Sequence, residues 1–204
     1  MAMPVKPDRA PLADRKARGG MGLLIVDMLS SWDFPGGGKL ARAAVAIAPR
    51  IGRLKQRCVR AGVPVVYAND NRGHWRSEFH ALVRASVETS QAGATIAASL
   101  LPDDDDYSVL KPKHSAFYAT PLDLLLRHLG VTGLVVTGVA SDQCIVMTAA
   151  EARMRDYDVI VPSDCVAAQT PARNARALGH LGEAHGIATT PSARVRLAPR
   201  RRGA

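Results

Sequence analysis

Short, wholly apolar runs alternate along the chain with longer stretches in which apolar residues recur every three or four positions. GLLIV at 22–26 is the first such run and ends at Asp27; VPVVYA at 63–68 is the second and ends at Asn69. Between them, PRIGRLKQRCVRAG places Ile51, Leu54 and Cys58 on one face, with Pro49 positioned to open a helix. After a middle of variable pattern come the strand YSVLK, the helical PLDLLLRHLG, the buried strand VTGLVVTGV and a helix from Asp142 to about Arg155. DYDVIVPSD then predicts another strand, PARNARALGHLGEAHG another helix, and GIATT a last short strand. Gly62, Gly130 and Gly186 each close a helical pattern just before a strand, as helix C-caps do.

Strands apolar at every position must be covered on both sides, so this alternation predicts a three-layer αβα, Rossmann-like fold around a mostly parallel sheet of five or six strands. In such sheets ligands bind beyond the C-terminal strand ends. Those ends are Asp27, Asn69 to Asn71, Lys111, and the segment after Val139.

Charge changes the picture less than its total implies. The 204 residues carry 27 basic and 18 acidic side chains, a net +9. Residues 1–20 hold five basic and two acidic of these, and residues 192–204 hold five basic and none acidic. The expected organisation is therefore a flexible basic tail over 1–20, a nearly neutral body over 21–191, and a second flexible tail over 192–204. No nucleic-acid partner is expected of the body. No apolar run approaches the roughly 20 residues that cross a bilayer, and the opening MAMPVKPDRAPLADRKARGG lacks a secretory apolar segment. The expectation is a cytoplasmic protein without a membrane partner. Three cysteines, Cys58, Cys144 and Cys165, form no CxxC pair and disfavour both a disulfide framework and a thiolate zinc site.

Chemistry concentrates at three strand ends. Cys144, in GVASDQC, falls in the first turn of a helix, where backbone N–H groups and the positive end of the dipole favour a thiolate; position alone suits inert burial equally well. Asp27 follows five apolar residues and reads either as a loop cap or as a proton acceptor with its pKa raised by burial. Lys111 reads either as a solvated cation or as a stabiliser of neighbouring negative charge.

These segments together resemble the isochorismatase-like cysteine hydrolases, the superfamily of nicotinamidases, N-carbamoylsarcosine amidases and isochorismatases. LLIVDM, LKPKHSAFYATPLDLLL, GVASDQCIVMTAAEA and YDVIVPSDCVA carry the resemblance, over roughly residues 21–191. It implies Asp27, Lys111 and Cys144 as the catalytic residues, a cis peptide joining Val139 to Ala140, and an oxyanion hole made by the N–H groups of Ala140 and Cys144. Hydrolysis of a small amide or related C–N bond through a thioester is the implied reaction, without a cofactor. An isochorismatase-type vinyl ether hydrolase is the alternative, and a small-molecule binding or scaffold protein of the same fold is the non-enzymatic one. A homodimer or higher homo-oligomer is the implied assembly.

Nicotinamidases of the family carry an Asp-x-His metal motif beyond the second strand. Here ANDNRGHWRSEFH has Asp70 followed by Asn71 and Arg72, with His74 and His80 as the nearest histidines, so no metal is expected. Trp32, Asn71, Trp75, Phe117 and Tyr118 are the expected substrate-pocket residues. Arg72, Arg76 and Arg84 suit either a substrate carboxylate or plain solvation, and His114 adjoins the SAF segment. The Asp103 to Asp106 run lacks EF-hand spacing and reads as a turn, and GGG at 36–38 lacks the Lys-Ser/Thr of a nucleotide loop.

Overall fold

A computed structural model describes residues 20–73, 75–76 and 78–197; the expectations for 1–19, His74 and 198–204 fall outside these residues. Six strands form one sheet: β1 (Gly20–Val26), β2 (Val65–Asp70), β3 (Tyr107–Lys111), β4 (Val131–Val139), β5 (Asp158–Ile160) and β6 (Val166–Ala167). Their order is β3-β2-β1-β4-β5, with β6 also pairing β4, and every pairing is parallel. The helices are α1 (Gly37–Arg60), α2 (Phe79–Thr89), α3 (Gln91–Leu100), α4 (Leu122–His128), α5 (Val146–Met154) and α6 (Pro171–His185).

Alternation along β1 divides the core in two. Leu23 and Ile25 pack with Ile51 and Leu54 of α1 and Ile96 of α3. Leu24 and Val26 face the other way, among Leu122 and Leu126 of α4, Ala149 of α5 and Leu181 of α6. A strand buried on both faces needs apolar residues at every position, and this is why β1 and β4 lack the alternation of a half-exposed strand. No helix among the described residues is long and apolar enough to cross a membrane.

Three features depart from the sequence expectation. Helix α1 begins at Gly37 and carries Pro49 in its interior. A mid-helix proline removes one hydrogen bond and costs about 3 kcal/mol; the apolar stripe of Leu40, Ala44, Ile47, Ile51, Leu54 and Cys58, buried along the whole helix, offsets it. The C-terminal basic segment is also packed over its described part. Asp164 accepts from the Ser192 N–H and hydroxyl at 2.6 and 2.8 Å, Arg57 donates to the carbonyls of Ser192 and Val195, and Val195 is buried in the core. The GIATT segment contributes only a single bridge, Ile160 with Ala188.

The sheet places its switch point between β1 and β4. The chain steps from β1 outward through β2 to β3, then returns to the other side of β1 as β4. Crossovers that leave in opposite directions open a crevice at the carboxyl ends of these two strands. Gly138 permits their close approach there: at φ +110°, a Cβ on it would stand 2.0 Å from the Val26 carbonyl oxygen.

Candidate active site

Three strands deliver the polar groups to this crevice. Asp27 ends β1 in a left-handed conformation (φ 52°), its N–H donating to the Ala68 carbonyl and its Oδ1 accepting from the Asp70 N–H at 2.8 Å. Lys111 ends β3 with its side chain fully buried. Cys144 lies beyond β4, after a cis peptide between Val139 and Ala140, in a π-helical turn over Ser141–Ile145 that leads into α5. The Ala140 carbonyl accepts from both Gln143 and Ile145, which wraps the turn around Cys144.

The ammonium of Lys111 joins these groups. Its Nζ lies 2.9 Å from Asp27 Oδ2, 3.5 Å from Cys144 Sγ, 3.5 Å from Asp70 Oδ2 and 3.2 Å from the Lys113 carbonyl oxygen. Burial pushes the Asp27 carboxyl above its ordinary 3.8, while Lys111 and a hydrogen bond with the Cys144 thiol pull it down. Burial also raises the Cys144 thiol, and the charge of Asp27 raises it further against the pull of Lys111. For Lys111, burial opposes the charge, but Asp27, Cys144 and Asp70 outweigh it and raise the pKa. Burial and the Asp27 charge thus work against a thiolate here, and Lys111 works for it. This differs from the thiolate expected at a helix start, because the sulfur is buried against a carboxylate and sits in a π turn rather than a regular first turn.

Above the three groups lies a cavity of about 230 Å³. Asp27, Asp70, Val139, Ala140, Gln143 and Cys144 line its base, and Leu29, Trp32, Phe34, Leu40 and Leu82 form an apolar wall, with Arg72 and His114 beside them. Of the five expected pocket residues, Trp32 lines it. Phe117 is instead buried in the core against Tyr157, where the packing of α4 and α5 takes it, and Trp75 (80% exposed) and Tyr118 (57%) face solvent. Asn71 lines an adjoining depression, its Oδ1 accepting from the Gly73 N–H. Phe34 and Gln143 were legible only as neighbours of Trp32 and Cys144, whereas Leu82 comes from a helix whose pattern did not mark it.

Among the described residues, three of the five non-glycine positions with positive φ, Asp27, Trp32 and Arg72, line the cavity. Each such conformation costs on the order of 1 kcal/mol, and the surrounding bonds hold it in place. Arg72 donates to Ser31 Oγ and to the Asp33 carbonyl and lies over the Phe34 ring, tying the Trp32–Phe34 loop to the end of β2. Asp70 is occupied by Lys111 and by the Arg72 N–H. Among the described residues, no three His, Cys, Asp or Glu side chains come together as a metal-ligand set.

Comparison with known proteins places this arrangement. The isochorismatase domain profile matches residues 21–192. The chain is 37% identical over 156 residues to the uncharacterised isochorismatase family protein YaaI of Bacillus subtilis, covering 76% of this chain and 85% of that one. An isochorismatase family protein from Desulfovibrio vulgaris superposes with a TM-score of 0.68 at 29% identity, over 86% of this chain and 96% of the other. An N-carbamoylsarcosine amidase from Thermoplasma acidophilum does so with a TM-score of 0.64 at 26% identity, over 85% and 96%.

Proposed function

The chain belongs to the isochorismatase family of hydrolases, and on that premise we propose that it hydrolyses a small amide or related C–N bond through a thioester on Cys144. The observation that carries this reading is one buried ammonium, Lys111, 2.9 Å from the Asp27 carboxyl and 3.5 Å from the Cys144 sulfur, two groups that line a small cavity. That is the geometry of a nucleophile with its base and its charge stabiliser.

Asp27 takes the thiol proton as the sulfur attacks the substrate carbonyl carbon. A C–S bond forms, and the carbonyl electron pair moves to oxygen, where the N–H groups of Ala140 and Cys144 receive it as an oxyanion hole. Support for this hole is positional: the Gln143 and Ile145 N–H groups bond to the Ala140 carbonyl, while Ala140 and Cys144, whose N–H groups make the proposed hole, line the cavity. The tetrahedral carbon collapses, the C–N bond breaks, and Asp27 returns the proton to the leaving nitrogen. Water then gives a proton to Asp27 and its oxygen to the acyl carbon; the C–S bond breaks and the proton returns to sulfur. A carboxyl that burial raises, and that Lys111 and the Cys144 thiol hold back, takes up a proton more readily than a solvated one and can pass it on to the leaving nitrogen. Lys111 keeps its charge throughout and lowers the cost of each anionic state.

The cavity volume supports a small substrate, and the apolar wall of Trp32, Phe34 and Leu40 supports an apolar or flat acyl group. A vinyl ether dicarboxylate gains no comparable support: among the described lining residues the arginine is Arg72, already held by Ser31 and Asp33. The test is a screen of nicotinamide, other primary amides, N-carbamoyl amino acids and isochorismate, run beside Cys144→Ala. Ammonia release that disappears with Cys144→Ala is the expected result. Pyruvate release from isochorismate, with no ammonia from any amide, would overturn it.

A further inference from the structure

The loop after β3 carries a group that the reaction above does not use. His114 lines the cavity, and its Nδ1 lies 3.5 Å from Cys144 Sγ, a normal hydrogen-bond separation to sulfur. Its position is fixed from the next residues onward. Ser115 donates to Glu151, and the Ala116 N–H donates to Thr148 Oγ1 at 3.0 Å, so the His114 loop is fastened to α5, the helix that Cys144 leads into.

The sulfur needs a further donor because Lys111 is oversubscribed. An ammonium has three N–H bonds, whereas four acceptors surround this one: Asp27 Oδ2, the Lys113 carbonyl oxygen, Asp70 Oδ2 and Cys144 Sγ. Asp27 and the carbonyl are the nearer two, which leaves the sulfur sharing the third hydrogen with Asp70. A thiolate forming in this buried place therefore receives at most part of one hydrogen bond from Lys111. The oxyanion hole does not help, since its N–H groups serve the substrate oxygen.

We propose that His114 is a further catalytic residue, its Nδ1–H donating to the Cys144 sulfur as negative charge develops there. In this role the imidazole donates a hydrogen bond and transfers no proton; Asp27 remains the base. The charged groups facing the sulfur are then Asp27, at the end of β1, and Lys111, at the end of β3, with Asp70 of β2 behind Lys111. This inference rests on Cys144 being the nucleophile of the proposed reaction, and it extends that reading to how the thiolate is held.

Alkylation of Cys144 by iodoacetamide in the full chain, followed by peptide mass spectrometry across pH, tests it without any substrate. His114→Leu is expected to slow Cys144 alkylation about 10- to 100-fold, the loss typical of a hydrogen bond to a charged group, and to move the midpoint of its pH profile upward. His114→Asn sets an amide N–H where Nδ1–H stood and is expected to stay within about threefold of the native rate. His114→Gln, whose nitrogen lies one bond further out, is expected to be slow, and serves where the Leu variant does not fold. Native rates in His114→Leu or His114→Gln would overturn the proposal, as would an Asn variant as slow as the Leu variant, which would make His114 a proton carrier. If no amide is turned over while the alkylation pattern holds, the substrate reading fails and this assignment stands.

Discussion

Strand β3 carries a buried lysine cluster at each end, and the partners of one of them line a cavity. At its entry, the Nζ of Lys55 from α1 meets Asp103 at 2.9 Å, Asp106 at 2.6 Å and the Leu101 carbonyl at 3.0 Å, and lies over the Tyr67 ring. At its exit, Lys111 meets Asp27, Asp70 and the Lys113 carbonyl. Charge and hydrogen bonding raise the pKa of both lysines against the pull of burial. The entry cluster joins α1 to the end of α3 and to the turn before β3, and its three acceptors match the three hydrogens of the lysine. The exit cluster opens into a cavity, adds a thiol, and leaves a lysine with more acceptors than hydrogens. In the proposed reaction the exit cluster is the one that reacts, because it is left incomplete and has room for a substrate.

Removing the proposed nucleophile should separate the two clusters most sharply. Cys144→Ala is expected to lower kcat at least about a thousandfold while leaving the thermal midpoint nearly unchanged, as read by ammonia release and calorimetry. Lys111→Met should lower activity about a hundredfold and destabilise the fold by about 3 kcal/mol, because it leaves Asp27 and Asp70 facing each other without a cation. Lys55→Met should destabilise by about 1–3 kcal/mol and leave kcat within about twofold, measured by urea unfolding and turnover. The stabilisation from a raised lysine pKa is present in full below the unfolded value of 10.5 and is lost as pH rises through the folded one. The alkaline loss of stability should therefore shrink in Lys55→Met.

Proton occupancy offers a finer separation. Since burial raises Asp27 and Lys111 lowers it, the acid limb of kcat/KM should lie above 3.8, with activity lost as pH falls and the carboxylate is protonated. In Lys111→Met the residual activity should show that limb at still higher pH. An unmoved limb would mean that Asp27 is not the group titrating. The smallest effects belong to the exposed aromatics: Trp75→Ser and Tyr118→Ser should leave KM unchanged, whereas Trp32→Ala, within the cavity wall, should raise it.

The layered fold and the three strand-end groups were legible because burial on both faces and abrupt polar endings are local properties of sequence. Asp27, after five apolar residues, and Lys111, ending YSVLK, needed no tertiary knowledge to stand out. The length of α1 was obscured because Pro49 is a local stop signal that a long apolar stripe overrides. The pocket wall was harder still. Aromatic character marked Trp32, Phe117 and Tyr118 alike, and only the assembled core, where Phe117 meets Tyr157 while Tyr118 is left to solvent, tells them apart. The protonation state of Cys144 was hidden for the same reason, since its raised pKa comes from burial and from a carboxylate more than a hundred residues away.

In the proposed reaction the exit cluster forms a covalent acyl intermediate on one sulfur. Its most direct test is acid quenching during turnover of the best amide from the screen, followed by peptide mass spectrometry of the enzyme. The account predicts the acyl mass on the peptide bearing Cys144, absent from Cys144→Ala and from the peptides bearing Cys58 and Cys165. Undiminished turnover by Cys144→Ala, or an acyl group found on another residue, would contradict it.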